Sequence, residues 1–292
     1  MTYVVSLIAD PAKRTIDRPL LERLTAAVKG GAPVELAPGA AYDIPIAVIP
    51  EDDDALRLLG RHAGLDINIL PAANRRKKLL IADMDSTIIQ QECIDELADF
   101  AGKRAEISAI TERAMRGELD FEGALKERVA MLKGLPESVL AETFATRITL
   151  TPGAETLVKT MNANGAMTAL VSGGFTFFTG RVAEKTGFQY NQANTLSLNG
   201  GVLSGAVAEP ILGRAAKQEA LERIAKEKGI SLGETIAVGD GANDLSMLSR
   251  SGLGVAFRAK PAVAEAAHAR IDHGDLTALL YLQGIPQAAF AR

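Results

Sequence analysis

The stretch LLIADMDST at residues 79–87 decides the fold, because an unbroken apolar run ends abruptly at two carboxylates. Apolar runs without alternation are typical of parallel strands that are covered on both faces. Ala166–Val171 ends at Ser172 in the same way, and Thr235–Val238 ends at a Gly-Asp pair. Because ligands of open α/β sheets bind beyond the carboxyl ends of the strands, the pattern predicts an α/β protein with a parallel sheet and a functional site along that edge.

Asp83 and Asp85 lie two residues apart at the end of the first run, and a mostly apolar strand has no folding reason to end in two like charges. At about 4 Å and an effective dielectric near 20, two carboxylates repel each other by about 4 kcal/mol. A divalent cation, protonation of one carboxyl or exposure to water would offset that repulsion. The pair alone leaves all three explanations open.

A second acidic loop follows the third apolar run and carries Asp240 and Asp244 in the sequence GDGAND. Glycines on both sides of Asp240 permit a tight strand-to-helix turn. Three or four carboxylates at one edge form the hard oxygen site that suits Mg²⁺, which also binds substrate phosphate. An EF-hand calcium loop starting at Asp83 does not fit, because Ile88 and Ile94 occupy the positions that need glycine and glutamate.

Ser172, Gly173 and Gly174 follow the second apolar run, and we expect them to end the strand and open a helix. A hydroxyl and free backbone N–H groups at a helix N-terminus can hold a phosphate, although an ordinary strand-to-helix cap has the same pattern. A serine-hydrolase nucleophile elbow is excluded because Leu170 stands where that motif needs glycine. Lys217 lies in a helix-like segment and by itself indicates only a surface charge.

The chain of 292 residues is long enough for two domains. Pro71–Lys78 combines proline, small residues and a basic cluster, which is typical of an exposed connection. The segment before it has strand and helix patterns in the order β-α-β-β-α-β: Val4–Ala9, Leu20–Val28, Val34–Leu36, Ile44–Ile49, Asp54–His62 and Ile67–Leu70. This order predicts a small α+β ferredoxin-like domain over residues 1–74, followed by a larger domain over 75–292.

Residues 89–148 separate the first apolar run from the second and have helical periodicity with few strand signals. They are too many for one crossover, so we predict a helical cap over the sheet edge. A smaller excursion over residues 196–203 contains an Asn-Gly pair, which is typical of a hairpin.

Composition limits the partners and the compartment. The 32 Lys+Arg and 36 Asp+Glu leave a formal net charge of -4, so no large positive field is available for nucleic acid or an anionic membrane. Cys93 is the single cysteine, and with His62, His268 and His273 it forms no zinc-binding spacing. The apolar N-terminal stretch lacks a basic head, and no run approaches the ~18 apolar residues of a membrane helix. We therefore expect a cytoplasmic protein that acts on a small molecule.

Four motifs taken together resemble those of the haloacid-dehalogenase (HAD) superfamily, in the same order. They are DMDST at 83–87, SGGF at 172–175, Lys217 and GDGAND at 239–244. Phe121 and the stretches QECIDE at 91–96, MRG at 115–117 and LKERV at 125–129 resemble the branch that hydrolyses O-phospho-L-serine. The resemblance covers residues 75–285 and implies a Rossmann-like parallel sheet core with a helical cap inserted after the first strand.

The resemblance implies a Mg²⁺-dependent phosphatase that converts O-phospho-L-serine to L-serine and phosphate, the last step of serine biosynthesis. Asp83 would be the nucleophile that forms an aspartyl-phosphate, and Asp85 would act first as acid and then as base. Asp83, Asp240 and the backbone carbonyl of Asp85 would bind Mg²⁺. A free aspartic acid has a pKa near 3.9, so we expect acidic neighbours and desolvation under the cap to raise the pKa of Asp85.

The resemblance also implies which residues hold the phosphate. Ser172, Gly173 and Lys217 would contact the phosphoryl oxygens, and Asn243 would orient the phosphate. Asp244 would support the metal ligands or the lysine.

Glu92 would bind the substrate ammonium and Arg128 its carboxylate. A planar guanidinium can grip a carboxylate with two parallel hydrogen bonds, and a carboxylate can pair with an ammonium. Alternatively, both residues are solvent-facing helix charges.

The N-terminal segment resembles the ACT-like amino-acid-binding modules of related enzymes, but Asp10-Pro11-Ala12 replaces the glycine expected after the first strand. We expect it to form a homodimer contact or to stabilise the chain as readily as to bind an effector. Three other functions stay open: transfer of the phosphoryl group to an alcohol such as homoserine, hydrolysis of another small phosphorylated metabolite, and a regulatory binding module with an inert catalytic domain.

Overall fold

A computed structural model describes residues 2–13, 15–51, 53–116, 118–213 and 215–291. The MRG likeness at 115–117 therefore lies partly outside the described residues, at Gly117. Within the described ranges, no helix has both the length and the apolar character needed to cross a bilayer.

The N-terminal segment alternates strands and helices in the predicted order. Its elements are β1 (Tyr3–Ala9), α1 (Arg18–Ala27), β2 (Val34–Ala37), β3 (Ala41–Ile46), α2 (Asp53–Ala63) and β4 (Leu65–Pro71). The strands form an antiparallel sheet in the order β2-β3-β1-β4. The third strand was predicted at Ile44–Ile49 and lies three residues earlier, because its partner β1 begins at Tyr3, which pairs with Ile46 and leaves no partner for the residues that follow.

Both faces of this sheet are covered. Val5 and Leu7 pack with α1 and α2 in a cluster of their own. Ile8, on the opposite face, belongs to the same apolar cluster as Leu279 and Tyr281 near the C-terminus. One face of the N-terminal sheet therefore shares its core with the rest of the chain, and the other face has a core of its own.

The connection at Pro71–Lys78 is not simply the solvated linker that its composition indicates. The Arg75 side chain is only 12% exposed and pairs with Asp43 at 2.5 Å. It also donates hydrogen bonds to the backbone carbonyls of Tyr281 and Leu282, each at 2.9 Å. The basic residue anchors the connection because it satisfies carboxylate and carbonyl acceptors from both parts of the chain.

The remaining elements alternate around a second, parallel sheet. They are β5 (Leu79–Ala82), α3 (Cys93–Phe100), α4 (Arg104–Met115), α5 (Phe121–Ala130), α6 (Ser138–Thr146), α7 (Ala154–Ala163), β6 (Met167–Phe175), α8 (Thr176–Thr186), β7 (Tyr190–Asn194), β8 (Leu196–Asn199), β9 (Val202–Val207), α9 (Ala216–Glu227), β10 (Thr235–Gly239), α10 (Leu245–Arg250), β11 (Leu253–Phe257), α11 (Pro261–Ala266), β12 (Ala269–Ile271) and α12 (Ala278–Tyr281).

The parallel sheet has the order β12-β11-β10-β5-β6-β7. The chain moves from β5 outward to β7 and then crosses to β10 on the other side of β5. Strand order therefore reverses between β5 and β10, which is the point where open α/β sheets bind their ligands. The predicted apolar runs form these strands, and Leu79 pairs with Thr235 in register.

Ser172, Gly173 and Gly174 do not open a helix as predicted. Strand β6 continues to Phe175, and α8 begins at Thr176. The pairing with β7 shifts between Val171 and Phe175, so the intervening residues bulge out of the ladder. Asn194 fixes this bulge because its side-chain amide donates to the carbonyl of Gly173 at 2.9 Å.

Helices α3–α7 lie between β5 and β6, and α3–α6 occupy the long segment that precedes α7. The two ends of the α3–α6 segment lie side by side, because Ile89 and Leu150 form an antiparallel bridge. The β8–β9 hairpin contacts the α5–α6 connection, since Leu203 exchanges backbone hydrogen bonds with Gly134 and Leu135.

Candidate active site

The turn after β5 places the first two carboxylates. Asp83 is 5% exposed at the end of the strand, and a wide turn over Met84–Ile88 follows it. Within this turn Ser86 has a φ of 53°, a left-handed conformation that is strained for a residue other than glycine. The Ser86 hydroxyl donates to Glu92 Oε1 at 2.6 Å.

Asp83, Asp240 and Asp244 converge at the carboxyl ends of β5 and β10, where each offers a carboxylate oxygen within 4.8 Å of the others. Lys217 Nζ lies 2.7 Å from Asp83 Oδ1 and 2.6 Å from Asp244 Oδ1. Asp244 Oδ2 accepts the backbone N–H groups of Asp240 and Gly241, each at 3.1 Å. Asp244 therefore holds both the lysine and the second acidic loop.

Burial is the largest influence on the pKa values of the groups in this cluster. It raises the pKa of Asp83 well above its usual value, with Asp244 as a further cause, while Lys217 lowers it. Burial and Asp244 raise the pKa of Asp240 to about 7. Burial lowers the pKa of Lys217, but the carboxylates of Asp244 and Asp83 outweigh burial and leave that pKa above its usual value, so the lysine is a cation.

Lys217 brings one ammonium to three converging carboxyl groups, so it can offset only part of their negative charge. Buried carboxylate oxygens with unbalanced charge are a donor set that fits a hard divalent cation such as Mg²⁺. Asp85 lies outside this group of converging side chains. An acidic cluster able to hold a metal is thus present at the predicted edge.

The Asp85 carboxylate has hydrogen-bond partners outside the acidic cluster. Its Oδ1 accepts the backbone N–H of Cys93 at 2.8 Å, and its Oδ2 accepts the Ser172 hydroxyl at 3.2 Å. Burial raises the pKa of Asp85, while the hydrogen bonds from Cys93 and Ser172 and the charge of Lys217 lower it. Burial is the largest of these causes, as expected, and no acidic neighbour is among the main ones.

Two glycines let the β6 bulge approach the site closely. A Cβ on Gly173 would lie 2.8 Å from Phe121 Cζ, and one on Gly174 would lie 2.7 Å from Asp85 Oδ2. The Ser172 hydroxyl accepts the N–H of Gly174 at 2.8 Å. The bulge therefore presents a hydroxyl and backbone groups directly beside Asp85, without the helix N-terminus that was predicted there.

Most of the sequence-predicted residues meet around one cavity of about 70 Å³. Those that line it are Asp83, Asp85, Glu92, Arg128, Ser172, Gly173 and Asn243. Lys217, Asp240 and Asp244 are not among the lining residues, and Lys217 reaches the cavity through Asp83.

Glu92 and Arg128 are not solvent-facing helix charges. Arg128 is 7% exposed, and burial lowers the pKa of its guanidinium while Glu92 raises it. Burial raises the pKa of Glu92 well above its usual value, with Asp85 as a further cause. Glu92 and Arg128 therefore line the same cavity with a carboxyl group and a guanidinium group.

Sequence reasoning missed the residues that support these groups. Thr87 donates to Asp240 Oδ1 at 3.2 Å, and Thr111 accepts from Arg128 at 2.9 Å. Cys93 is buried, and burial raises the pKa of its thiol well above the usual value. A threonine in a motif or on a helix gives no signal of its own, because only the tertiary structure supplies its partner.

Comparisons with known proteins define the class. A family model for haloacid dehalogenase-like hydrolases matches residues 80–249. The match covers more than half of the chain and spans the acidic cluster, the β6 bulge and Lys217. The chain belongs to the haloacid dehalogenase-like hydrolase family.

Within this family, the chain is similar to phosphoserine phosphatases. It is 47% identical to the phosphoserine phosphatase of Streptomyces coelicolor over 76% of this chain, and spans 54% of that longer protein. A solved structure of a phosphoserine phosphatase as a phospho-aspartyl intermediate analogue is 45% identical, with a TM-score of 0.68, over 70% of this chain and 98% of that one. A HAD family hydrolase from Salmonella enterica serovar Typhi is 33% identical, with a TM-score of 0.85, over 96% of this chain and 98% of that one.

Proposed function

We propose that this protein is a Mg²⁺-dependent phosphatase that hydrolyses O-phospho-L-serine to L-serine and phosphate. The observation that carries the proposal is a single cavity lined by Glu92 and Arg128 together with Asp83 and Asp85. Such a wall can recognise an ammonium and a carboxylate on the same small molecule. The similarity to phosphoserine phosphatases supports the same substrate.

In the first step, a carboxylate oxygen of Asp83 attacks the phosphorus atom of the substrate. A bond forms between that oxygen and phosphorus, and the bond between phosphorus and the serine oxygen breaks. Asp85 donates its proton to the departing oxygen, a role supported by the raised pKa that burial gives it. The product of this step is an aspartyl-phosphate on Asp83.

In the second step, Asp85 accepts a proton from the water that attacks the phosphorus of the aspartyl-phosphate. The bond between phosphorus and Asp83 breaks, and the carboxylate of Asp83 is restored. Dividing the reaction in this way replaces one difficult displacement by two easier ones.

The phosphoryl oxygens contact the Ser172 hydroxyl, the N–H of Gly173 and the ammonium of Lys217, while Asn243 orients the phosphate. Asp244 anchors Lys217 through their 2.6 Å ion pair.

Asp83, Asp240 and the backbone carbonyl of Asp85 would hold Mg²⁺. When bound, Mg²⁺ supplies Lewis-acid neutralisation of charge on the phosphoryl oxygens. The excess of buried carboxylates over ammonium groups at this edge supports the choice of a divalent cation.

The N-terminal β-α-β-β-α-β segment supports an ACT-like, ferredoxin-like accessory domain over 1–74, ahead of a phosphatase domain over 75–292 whose cap spans about 89–148. One sheet face is covered by the C-terminal segment, so a homodimer through this domain would use its helices or the outer strand β2, where Val34 is 52% exposed. A place in the cytoplasm, in the last step of serine biosynthesis, follows from the proposed reaction.

The test is release of free phosphate from O-phospho-L-serine by the purified protein, with Mg²⁺ and with a chelator. We expect turnover that requires Mg²⁺ and is weaker for phosphoethanolamine, which lacks the carboxylate. Asp85→Asn should keep Mg²⁺ binding largely intact and slow both steps. Robust release in chelator, or unchanged turnover of Asp85→Asn, would refute the proposal, and phosphorylation of added homoserine would identify a transferase instead.

A further inference from the structure

The guanidinium of Arg128 is held by the protein at two of its three nitrogen atoms. Its Nε donates to the carbonyl of Ala124 at 3.0 Å, and its Nη1 donates to Thr111 Oγ1 at 2.9 Å. A guanidinium has five N–H donors in a fixed plane. Among the described residues these two contacts are its hydrogen bonds, so both N–H groups of Nη2 and one N–H of Nη1 are left for a ligand in the cavity.

Thr111 is a buried residue of α4, only 3% exposed, and it stands between Arg128 and a carboxylate. Its hydroxyl lies 3.0 Å from the carbonyl of Ile107 and 3.2 Å from Asp95 Oδ1. Because a hydroxyl has one hydrogen, it donates toward these acceptors and presents a lone pair to Arg128. The direction of the Thr111 hydroxyl, which lines the cavity, is therefore set by Ile107 and Asp95.

Asp95 on α3 completes the chain of contacts. Its Oδ2 accepts the hydroxyl of Ser108 at 2.8 Å, so two hydroxyls of α4 hold this carboxylate. Asp95 also favours the charged form of Arg128, whose pKa burial lowers. Three helices thus contribute to one hydrogen-bonded row that ends at the guanidinium.

We propose that Thr111 is a positioning residue that fixes the plane of the Arg128 guanidinium, and so sets the selectivity of the site for a substrate that carries a carboxylate. Two parallel hydrogen bonds to a carboxylate form only when the planar group is correctly turned. The inference deepens the proposed function and rests on it, because the carboxylate in question is that of O-phospho-L-serine.

The experiment compares Thr111→Val with Thr111→Ser, using O-phospho-L-serine and phosphoethanolamine as substrates. Valine keeps the shape of threonine and removes the hydroxyl, while serine keeps the hydroxyl. We expect Thr111→Val to lower the ratio of kcat/KM for O-phospho-L-serine to that for phosphoethanolamine about tenfold, the size expected for losing a hydrogen bond to a charged group. The lower kcat/KM for O-phospho-L-serine should come mainly from a higher KM. Thr111→Ser should keep the wild-type ratio.

Thr143→Val is the matched control. Thr143 is a fully buried threonine of α6 that does not line the cavity, and its hydroxyl has no hydrogen-bond partner in the described part of the chain. This variant should keep the wild-type ratio. If Thr111→Val does not fold, Thr111→Ala provides the same comparison with a smaller side chain.

The outcomes separate the two proposals. A wild-type ratio in Thr111→Val, with active wild-type enzyme, would overturn the role of Thr111 alone. An equal fall in kcat for both substrates would also overturn it, because it would indicate a general structural role. Failure of the wild-type protein to hydrolyse O-phospho-L-serine would overturn the proposed function and the inference with it.

Discussion

Lys217 Nζ lies 2.7 Å from Asp83 Oδ1, with the lysine side chain 4% exposed and that of Asp83 7% exposed. The lysine is the second residue of α9, where the positive end of the helix dipole disfavours a cation. The carboxylates of Asp83 and Asp244 offset that disadvantage. The ion pair therefore holds a positive charge beside the proposed nucleophile, at a helix end that disfavours a cation.

Replacing this lysine should affect both stability and turnover. Lys217→Met leaves buried carboxylates unpaired, so we expect the free energy of unfolding to fall by about 3–5 kcal/mol, as for other broken buried ion pairs. Phosphate release should be lost. Lys226→Met, at an exposed position in the last turn of the same helix, should change stability by no more than about 0.5 kcal/mol. Equal effects of the two variants in urea unfolding would contradict this account of the cluster.

Gly174 should be intolerant of a side chain. The Cβ of Gly174→Ala would lie 2.7 Å from Asp85 Oδ2 and 3.1 Å from Ser172 Oγ. Displacing a catalytic group by about 1 Å can cost about a hundredfold in rate, and we expect a fall of that order in kcat. Gly180→Ala on α8 is the control, since no atom lies within 4 Å of its Cβ. Gly180→Ala should keep the wild-type kcat and gain about 0.5–1 kcal/mol in stability. A wild-type kcat in Gly174→Ala would contradict the prediction, because it would show that the close contact with Asp85 is not needed for turnover.

Asp66 joins the N-terminal sheet to the parallel sheet domain. Its carboxylate is 4% exposed and accepts the backbone N–H groups of Asp272, His273 and Gly274 at 2.7–3.2 Å. Asp66→Ala leaves these donors without their acceptor, so we expect a loss of about 2–4 kcal/mol in the free energy of unfolding. The exposed Glu51→Ala should change it by less than about 0.5 kcal/mol.

The same carboxyl should make stability depend on pH. Burial raises the pKa of Asp66 above 3.8, although the backbone hydrogen bonds from Asp272, Gly274 and His273 lower it. As pH rises from 3.8 to the folded pKa, the folded chain holds a proton that the unfolded chain has lost, so the contribution of Asp66 falls. The difference in stability between wild type and Asp66→Ala should therefore be largest below pH 3.8 and shrink above it. A difference that grows with pH would reverse the assigned direction.

The sequence predicted the edge of the parallel sheet because that edge depends on local pattern. An apolar run such as Leu79–Ala82 can only be buried on both faces, and the residue after it must then lie at the strand end. For this reason the sequence alone predicts that Asp83 and Asp240 lie at the same edge of the sheet.

Features that depend on distant partners escaped prediction. The β6 bulge at Ser172 is fixed by Asn194, and the end of β3 is set by the start of β1 at Tyr3. Arg75 resembles part of a solvated basic run until its partner Asp43 is known. Thr111 has no pattern of its own on α4, because its role comes from Arg128 on another helix.

The central claim is that Asp83 takes the phosphoryl group. It is tested by quenching the protein in acid during turnover of O-phospho-L-serine and locating the phosphoryl group by peptide mass spectrometry. The account predicts phosphorylation at Asp83, and neither phosphorylation nor phosphate release in Asp83→Asn. Phosphorylation at another residue, or phosphate release that survives Asp83→Asn but is lost in Cys93→Ser, would contradict it.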